Sequence, residues 1–473
     1  MNSRIKGFIK ILIANALVFL IITLVIEISM QVYAYFNPGY KVLSVTPDKI
    51  LGWKFPSNFT MPHSGNNWYA NEFSATIKTN SIGFRDFERT ISKKDNTIRI
   101  AILGDSMISA RQVDFDKTAS RLLEKKLNKE LTPKTEKNYE VLNFGIDGFG
   151  IGQSFLTYEH YAKKYSPDYI FLFMFDWHIW RTINQNRCSQ TGANPKLCLW
   201  IRPSFDMPLI QLNSLSKYLN FEEFNNLVLT LKRNIIKGDT SFPFSWKEYQ
   251  KFILKQKSKI TPKSIHLLAQ EIKKSTLVLH KPREYNKFVE AQKKLMETEF
   301  NGSRIITRKR KFFIADILNR TKNIIFNKHQ VSLIEKERNT LLGTYAPENP
   351  DDPSSQNPNY PNFKQVIIVN LKILETLNKI IKKENSQLIL VDATNHFMHS
   401  GELPSALLSH IFKEYMTSLN GDYIPFGDHL NKANRKGIDT EWKFDGHLNI
   451  AGNQIFSETL FNFLTKFSVT TIS

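Results

Sequence analysis

The feature that most constrains the fold is a short apolar segment that ends in a glycine and a serine. It runs Ile98-Arg99-Ile100-Ala101-Ile102-Leu103-Gly104-Asp105-Ser106 and has no turn-forming residue between Ile100 and Leu103. Such a run is typical of a central strand in a parallel sheet covered on both faces. Gly104 permits a sharp turn, so Ser106 would lie at the carboxyl end of the strand, where open α/β sheets bind ligands. A Gly-Asp-Ser tripeptide alone is more often a simple turn, so the rest of the chain must decide.

Strand-like and helix-like segments alternate around this segment. The predicted strands are 98–106, 139–143, 168–175, 387–391 and 423–426, and helical spacing follows 106 to about 130, spans 151–165 and 363–381, and returns after 449. Strands that alternate with amphipathic helices form parallel sheets. The sequence therefore predicts an α/β protein with a doubly wound, three-layer parallel sheet.

The strand pattern is interrupted between about 181 and 361, where Lys-rich helical segments and the proline-containing stretch Tyr345 to Pro361 predict a mainly helical insertion and a linker. We predict five segments along the chain. They are a membrane anchor (1–36), an extracytoplasmic lead-in (37–97), the first part of the α/β domain (98–180), the insertion (181–361) and the second part of the α/β domain (362–473).

The N-terminal segment predicts a membrane helix. Arg4, Lys6 and Lys10 precede the uncharged run Ile11 to Ile26, and the apolar character continues to Phe36. About 20 apolar residues span a bilayer. The lack of a good small-x-small cleavage site favours an uncleaved anchor over a signal peptide. Positive charge before the span predicts a single-pass protein whose remaining chain is periplasmic or at the cell surface.

The formal net charge of +20 favours anionic surroundings such as phospholipid headgroups or acidic glycans, although solvated helix faces explain it equally well. No nucleic-acid motif accompanies the charge, so we expect no nucleic-acid partner. Cys188 and Cys198 could form a disulfide in an exported protein or remain two free thiols. No Cys/His pair lies near them at zinc spacing, and we expect neither a metal nor a cofactor.

Several polar residues follow predicted strands in a pattern that suits nucleophilic catalysis. A serine nucleophile needs a base, a group that orients the base, and donors aimed at the developing oxyanion. Ser106 ends the first strand, a glycine-rich loop at 145–150 follows the second, and Asp176 follows the third. Asp445 and His447 precede the last helix. These groups would converge if their loops lie at one edge of one parallel sheet.

Three motifs in order resemble the blocks of the SGNH/GDSL hydrolase family. They are Gly104-Asp105-Ser106, Asn143-Phe144-Gly145-Ile146-Asp147-Gly148 and Asp445-Gly446-His447, and the lead-in Asn80-Ser81-Ile82-Gly83-Phe84-Arg85 resembles membrane-anchored bacterial members. The resemblance implies Ser106 as nucleophile, His447 as general base and Asp445 as the acid that orients it. It also implies an oxyanion hole built on the backbone N–H groups of Ser106 and Gly148.

Two positions depart from the family pattern. Where the third block normally offers an asparagine amide to the oxyanion, this chain has Asp176, which has no donor when ionised. Burial could keep Asp176 protonated, the hole could use two donors, or His178 or Arg181 could substitute. Asp445 also lies only two residues before His447, a spacing similar to that of relatives that act in polysaccharide O-acetylation.

The resemblance predicts a membrane-anchored serine esterase or O-acyltransferase whose substrate is an acylated glycan or lipid, with a membrane acyltransferase as a candidate partner. The alternative is an inactive envelope protein that keeps the fold as a binding or assembly module, because Asp176 weakens the hole and the insertion is basic. We interpret Asp105 as a structural hydrogen-bonding group and Arg85 as a residue that holds a loop.

Overall fold

The computed structural model describes residues 3–36, 39–67, 70–183, 201–220, 254–282, 285–307, 314, 363–396 and 405–470. They fall into two units, one of Met1–Leu43 and Ser303–Lys336 and one of Ser44–Gly302 and Glu337–Ser473. The predicted Cys188–Cys198 disulfide, the predicted linker and much of the predicted insertion lie outside the described residues.

The first unit contains the long helix α1 (Ser3–Phe36) and an antiparallel pair of strands, β1 (Tyr40–Val42) and β11 (Ile305–Thr307). Within α1, the segment Gly7–Tyr33 is long and apolar enough to cross a membrane. A membrane anchor and a signal sequence both have these properties.

The second unit is built on a five-stranded sheet in which all strands are parallel, as predicted. In the order in which they pair across the sheet, the strands are β13 (Asp422–Ile424), β12 (Gln387–Asp392), β8 (Tyr169–Met174), β6 (Thr97–Gly104) and β7 (Asn138–Gly145). Gly104 pairs with Gly145 and Leu103 with Leu172, so the loops after β6, β7 and β8 leave from one edge.

Helices cover both faces of this sheet. On one face, Ile100 and Ile102 of β6 share a core with α3 (Ala119–Glu130), α12 (Phe426–Asn434) and α13 (Ile450–Thr470). On the other, α5 (Ile151–His160) packs on β6, and α10 (Phe363–Lys383) packs on β12. Other helices among the described residues of this unit are α2 (Ser106–Ser109), α4 (Thr132–Thr135), α6 (Asp176–Ile183), α7 (Leu209–Ser216), α8 (Pro262–Lys274), α9 (Tyr285–Thr298) and α11 (Ser405–Ser418).

The prediction of one helix from Ser106 to about Glu130 was wrong. A single turn, α2, ends at Ala110, whose φ of 47° is left-handed, and α3 begins only at Ala119. The intervening backbone is held by Arg85, which is fully buried and donates to the carbonyls of Ser109, Ala110 and Val113. Arg85 therefore holds the loop after the predicted nucleophile, as interpreted from the sequence.

Two antiparallel strand pairs precede the sheet, in the segment that the sequence predicts only as a lead-in. The pairs are β2 (Thr46–Asp48) with β3 (Gly52–Lys54) and β4 (Thr60–Asn67) with β5 (Ala70–Lys78). Another short pair, β9 (Ser204–Asp206) with β10 (Val278–His280), lies in the region predicted as mainly helical. The first two pairs matter most, because each contributes a side chain to the candidate site.

Candidate active site

The structure brings together the three residues predicted as nucleophile, base and orienting acid. His447 Nε2 lies 2.8 Å from Ser106 Oγ, and His447 Nδ1 lies 2.5 Å from Asp445 Oδ1. Ser106 begins α2 directly after β6, and the other two lie in the loop before α13. This relay of hydroxyl, imidazole and carboxylate has the geometry that serine nucleophiles require.

The pKa of His447 is raised above its ordinary value. Burial lowers it, but the hydrogen bond and the charge of Asp445 outweigh burial, and the charges of Asp147 and Asp105 add to the increase. The pKa of Asp445 is lowered, because the hydrogen bond and charge of His447 outweigh the effect of burial. An ionised acid that supports an imidazolium is the arrangement that general-base catalysis uses.

A tight turn explains how Asp445 and His447, which are only two positions apart, can form a side-chain hydrogen bond. Gly446 has a φ of +77°, a conformation that only glycine adopts at little cost. Its N–H donates to the carbonyl of Trp442 (2.8 Å), and the N–H of Trp442 donates to the carbonyl of His447 (2.9 Å). The short spacing noted in the sequence is thus accommodated by the turn.

The predicted oxyanion groups follow β6 and β7. Gly148 has a φ of +76°, and the backbone N–H groups of Ser106 and Gly148 make no hydrogen bond within the parts of the chain that the structure describes. The predicted role as oxyanion donors requires both groups to be unpaired, and among the described residues they are.

Side chains from other segments hold the loop that contains Gly148. Trp53 Nε1 donates to the Asp147 carbonyl (3.0 Å), Arg181 Nη1 to that of Phe149 (3.0 Å) and Arg202 Nη1 to that of Gly148 (3.4 Å). In a trans peptide the C=O and the following N–H point in opposite directions. The bond from Trp53 to the Asp147 carbonyl therefore fixes the direction of the Gly148 N–H.

We expect Trp53→Phe to lower kcat about tenfold and leave KM within about twofold, because the buried hydrogen bond that orients a donor is lost while a smaller aromatic ring still fills most of the space of the indole. Steady-state kinetics with p-nitrophenyl acetate measure this. Tyr161→Phe is the matched control, since its hydroxyl bonds Asp48 of the same lead-in at 2.7 Å, away from the loop. An equal loss in both variants would mean that only packing is affected.

Asp105, which follows β6, contacts two side chains of α6, the helix that follows the neighbouring strand β8. Its carboxylate is buried, Oδ2 lies 3.0 Å from His178 Nε2 and 2.8 Å from Arg181 Nη1, and Oδ1 accepts from the N–H of Met107 (3.0 Å). Burial raises its pKa, but His178, Arg181 and the Met107 N–H outweigh burial and lower the pKa overall. His178 and Arg181 are thus engaged at Asp105, which counts against either as the substitute oxyanion donor.

Asp176 is 3% exposed and begins α6. Its Oδ1 accepts from the N–H of Trp177 at 2.8 Å. The Asp176 carboxyl therefore accepts from the first turn of α6. A hole that uses the two backbone donors is compatible with this contact and stays a prediction.

Sequence reasoning missed two side chains that contact this site. Trp53 donates to the loop that contains Gly148, and the Glu72 carboxylate accepts from backbone N–H groups of the loop that contains Asp445. Both bond to backbone groups, so neither belongs to a motif. Among the described residues, no group of three His, Cys, Asp or Glu side chains is arranged to hold a metal ion.

No protein-family model matches this chain, and no curated protein matches it. Similar solved structures include Axe2, an acetylxylan esterase from Geobacillus stearothermophilus, with 8% identity, a TM-score of 0.32 and coverage of 77% of this chain and 93% of that chain. Another is the acetyl xylan esterase AlAXEase, with 12% identity, a TM-score of 0.31 and coverage of 77% and 98%. At these values the likeness carries no argument about activity, which must come from the chain's own geometry.

Proposed function

We propose that this chain is a serine esterase or O-acyltransferase of the SGNH type, anchored in a membrane by α1 and acting outside the cytoplasm. The observation that carries the proposal is the continuous relay from Ser106 Oγ to His447 (2.8 Å) and from His447 to Asp445 (2.5 Å). The substrates are ester-linked acyl groups on cell-surface glycans or lipids, in keeping with the family resemblance and the basic charge.

In the proposed reaction, His447 takes the proton of Ser106 as Oγ attacks the ester carbonyl carbon. The N–H groups of Ser106 and Gly148 stabilise the oxyanion of the tetrahedral intermediate. His447 then protonates the leaving alkoxide, and an acyl-enzyme remains on Ser106. Water or a sugar hydroxyl, deprotonated by His447, attacks the acyl group and restores the serine, while Asp445 stays ionised and supports the imidazolium.

Fluorophosphonate labelling of the full-length protein in detergent tests this function. We expect one label, mapped by mass spectrometry to Ser106, together with hydrolysis of p-nitrophenyl acetate that the label blocks. Release of acyl product to an added sugar hydroxyl would identify a transferase, and release to water alone a hydrolase.

A second candidate function, a non-catalytic envelope module, is favoured by one observation, the buried acid at Asp176 in place of a donor. Such a module would show neither labelling nor hydrolysis in the same experiment. A folded protein, verified by a cooperative thermal transition, that fails both assays would support this second function.

We expect Asp176→Asn to raise kcat by up to about 10²- to 10³-fold, since one oxyanion donor is worth about 2.7–4 kcal/mol. The amide keeps an oxygen for the Trp177 N–H and adds an N–H donor group. Kinetics with p-nitrophenyl acetate measure this. Asp392→Asn at the end of β12, where the carboxylate accepts from the Thr394 N–H (2.8 Å) and the Tyr423 hydroxyl (2.6 Å), is the matched control. A lower kcat in Asp176→Asn alone would contradict the two-donor hole.

A further inference from the structure

Glu72 connects the β4–β5 hairpin to the loop that carries the proposed acid and base. Its Oε1 accepts from the backbone N–H of Phe444 (2.9 Å), and its Oε2 accepts from that of Asp445 (3.0 Å). One carboxylate therefore binds two successive peptide groups, at a sequence separation of 372 and 373 positions.

We propose that Glu72 is a positioning residue that sets the orientation of Asp445 toward His447, an inference that rests on the proposed function. Two hydrogen bonds to one rigid carboxylate fix two adjacent peptide planes, and thereby the direction in which the Asp445 side chain leaves the backbone. Bonds to an ionised acceptor are shorter and stronger than bonds between neutral groups.

The loop obtains little of this constraint from packing. Phe444 is 47% exposed. Apart from the two residues next to it in the chain, no described residue lies within 4 Å of the place where a side chain on Gly446 would begin. The turn at Gly446 brings Asp445 and His447 together, and the Glu72 carboxylate binds the two peptide N–H groups just before that turn.

The hairpin is itself anchored well enough to act as a support. Phe73, the neighbour of Glu72, is buried, and its ring lies 5.6 Å from that of Trp442 and 5.2 Å from that of His63. The backbone N–H of Trp442 in turn donates to the His447 carbonyl. The hairpin thus contacts the loop at the Trp442 ring and at the backbone of Phe444 and Asp445, all ahead of the turn at Gly446.

The charges around His447 make its titration a readout of this positioning. Asp445, Asp147 and Asp105 raise its pKa against the effect of burial. The nearby His63 is neutral, since burial first and the charge of Arg111 second lower its pKa to about 3. Loosening Asp445 removes the largest of the contributions that raise the pKa of His447.

The test is Glu72→Ala in the full-length protein, with active sites counted by fluorophosphonate titration. We expect kcat to fall about 10- to 100-fold with KM within about twofold. In the profile of kcat/KM against pH, we expect the acidic limb, where activity falls as His447 becomes protonated, to move to lower pH. Glu72→Gln, which keeps one acceptor oxygen, should recover part of both effects. A merely structural role would reduce the number of active sites and leave the acidic limb in place.

Glu88→Ala is the matched control, because Glu88 binds the backbone N–H of Ser81 (2.5 Å) and its hydroxyl (2.9 Å) in the same lead-in. We expect it to keep the wild-type acidic limb. A wild-type kcat and limb in Glu72→Ala, beside an inactive Ser106→Ala, would overturn the role of Glu72 alone. Activity in Ser106→Ala would instead overturn the proposed function. If Glu72→Ala fails to fold, the same comparison is made with Glu72→Gln.

Discussion

Ser106→Ala is expected to abolish fluorophosphonate labelling and to lower kcat for p-nitrophenyl acetate by about 10⁴-fold or more, as loss of the nucleophile does in serine hydrolases. The reason is that Oγ, which lies 2.8 Å from His447 Nε2, forms the bond to the acyl carbon in the proposed reaction. The oxyanion donors remain in the variant, so a small residual rate above that of water is expected.

Folding should survive this substitution. Ser106 is partly exposed, and the contact of its hydroxyl is with His447, so we expect the free energy of unfolding to change by less than about 1 kcal/mol. Ser216→Ala is the matched control, because that hydroxyl donates to a helix carbonyl (2.8 Å) outside the site. If Ser106→Ala folds and keeps its label and its rate, the nucleophile is elsewhere.

The sheet could be predicted because its determinants are local. The apolar run from Ile100 to Leu103 requires burial on both faces, and the motifs that resemble SGNH blocks lie at the ends of β6 and β7 or precede the last helix. Parallel strands bring such positions to one edge whatever the length of chain between them. That is how Ser106 and His447, 341 positions apart, come within hydrogen-bond distance.

The supports of the site could not be predicted, for a physical reason. Trp53 and Glu72 bind backbone carbonyl and N–H groups, which every residue carries, at separations of 94 and 372 positions. No residue type or spacing in the sequence marks such contacts. The short helix α2 was missed for the same reason, since its end at Ala110 depends on the distant guanidinium of Arg85.

The lead-in acquires a role that its composition did not suggest. Its β3 strand holds the carbonyl before the Gly148 N–H, and its β5 strand holds the N–H groups of Phe444 and Asp445. The proposed oxyanion donor and the proposed acid are thus both supported by strands that precede the α/β domain. Removal of residues 44–78 should therefore impair catalysis even if the sheet still forms.

Asp445→Asn is expected to lower kcat/KM by about 10⁴-fold, because an amide can hold the imidazole in the wrong tautomer and cannot stabilise its protonated form. The acidic limb should also move. His447 accepts a proton only when neutral, and Asp445 raises its pKa, so the wild-type enzyme loses activity as the pH falls through that raised value. Without the carboxylate the pKa falls, and the small remaining activity persists to lower pH.

The measurement is kcat/KM against pH over about pH 4.5 to 9, where the free enzyme's base determines the acidic limb. Glu441→Gln is the matched control, since Glu441 Oε1 lies 2.6 Å from Nε2 of His396, a second His–carboxylate pair. We expect its limb to coincide with that of the wild type. A limb unmoved in Asp445→Asn would mean that another group titrates, and a limb moved to higher pH would mean that Asp445 does not act on His447 as the 2.5 Å contact indicates.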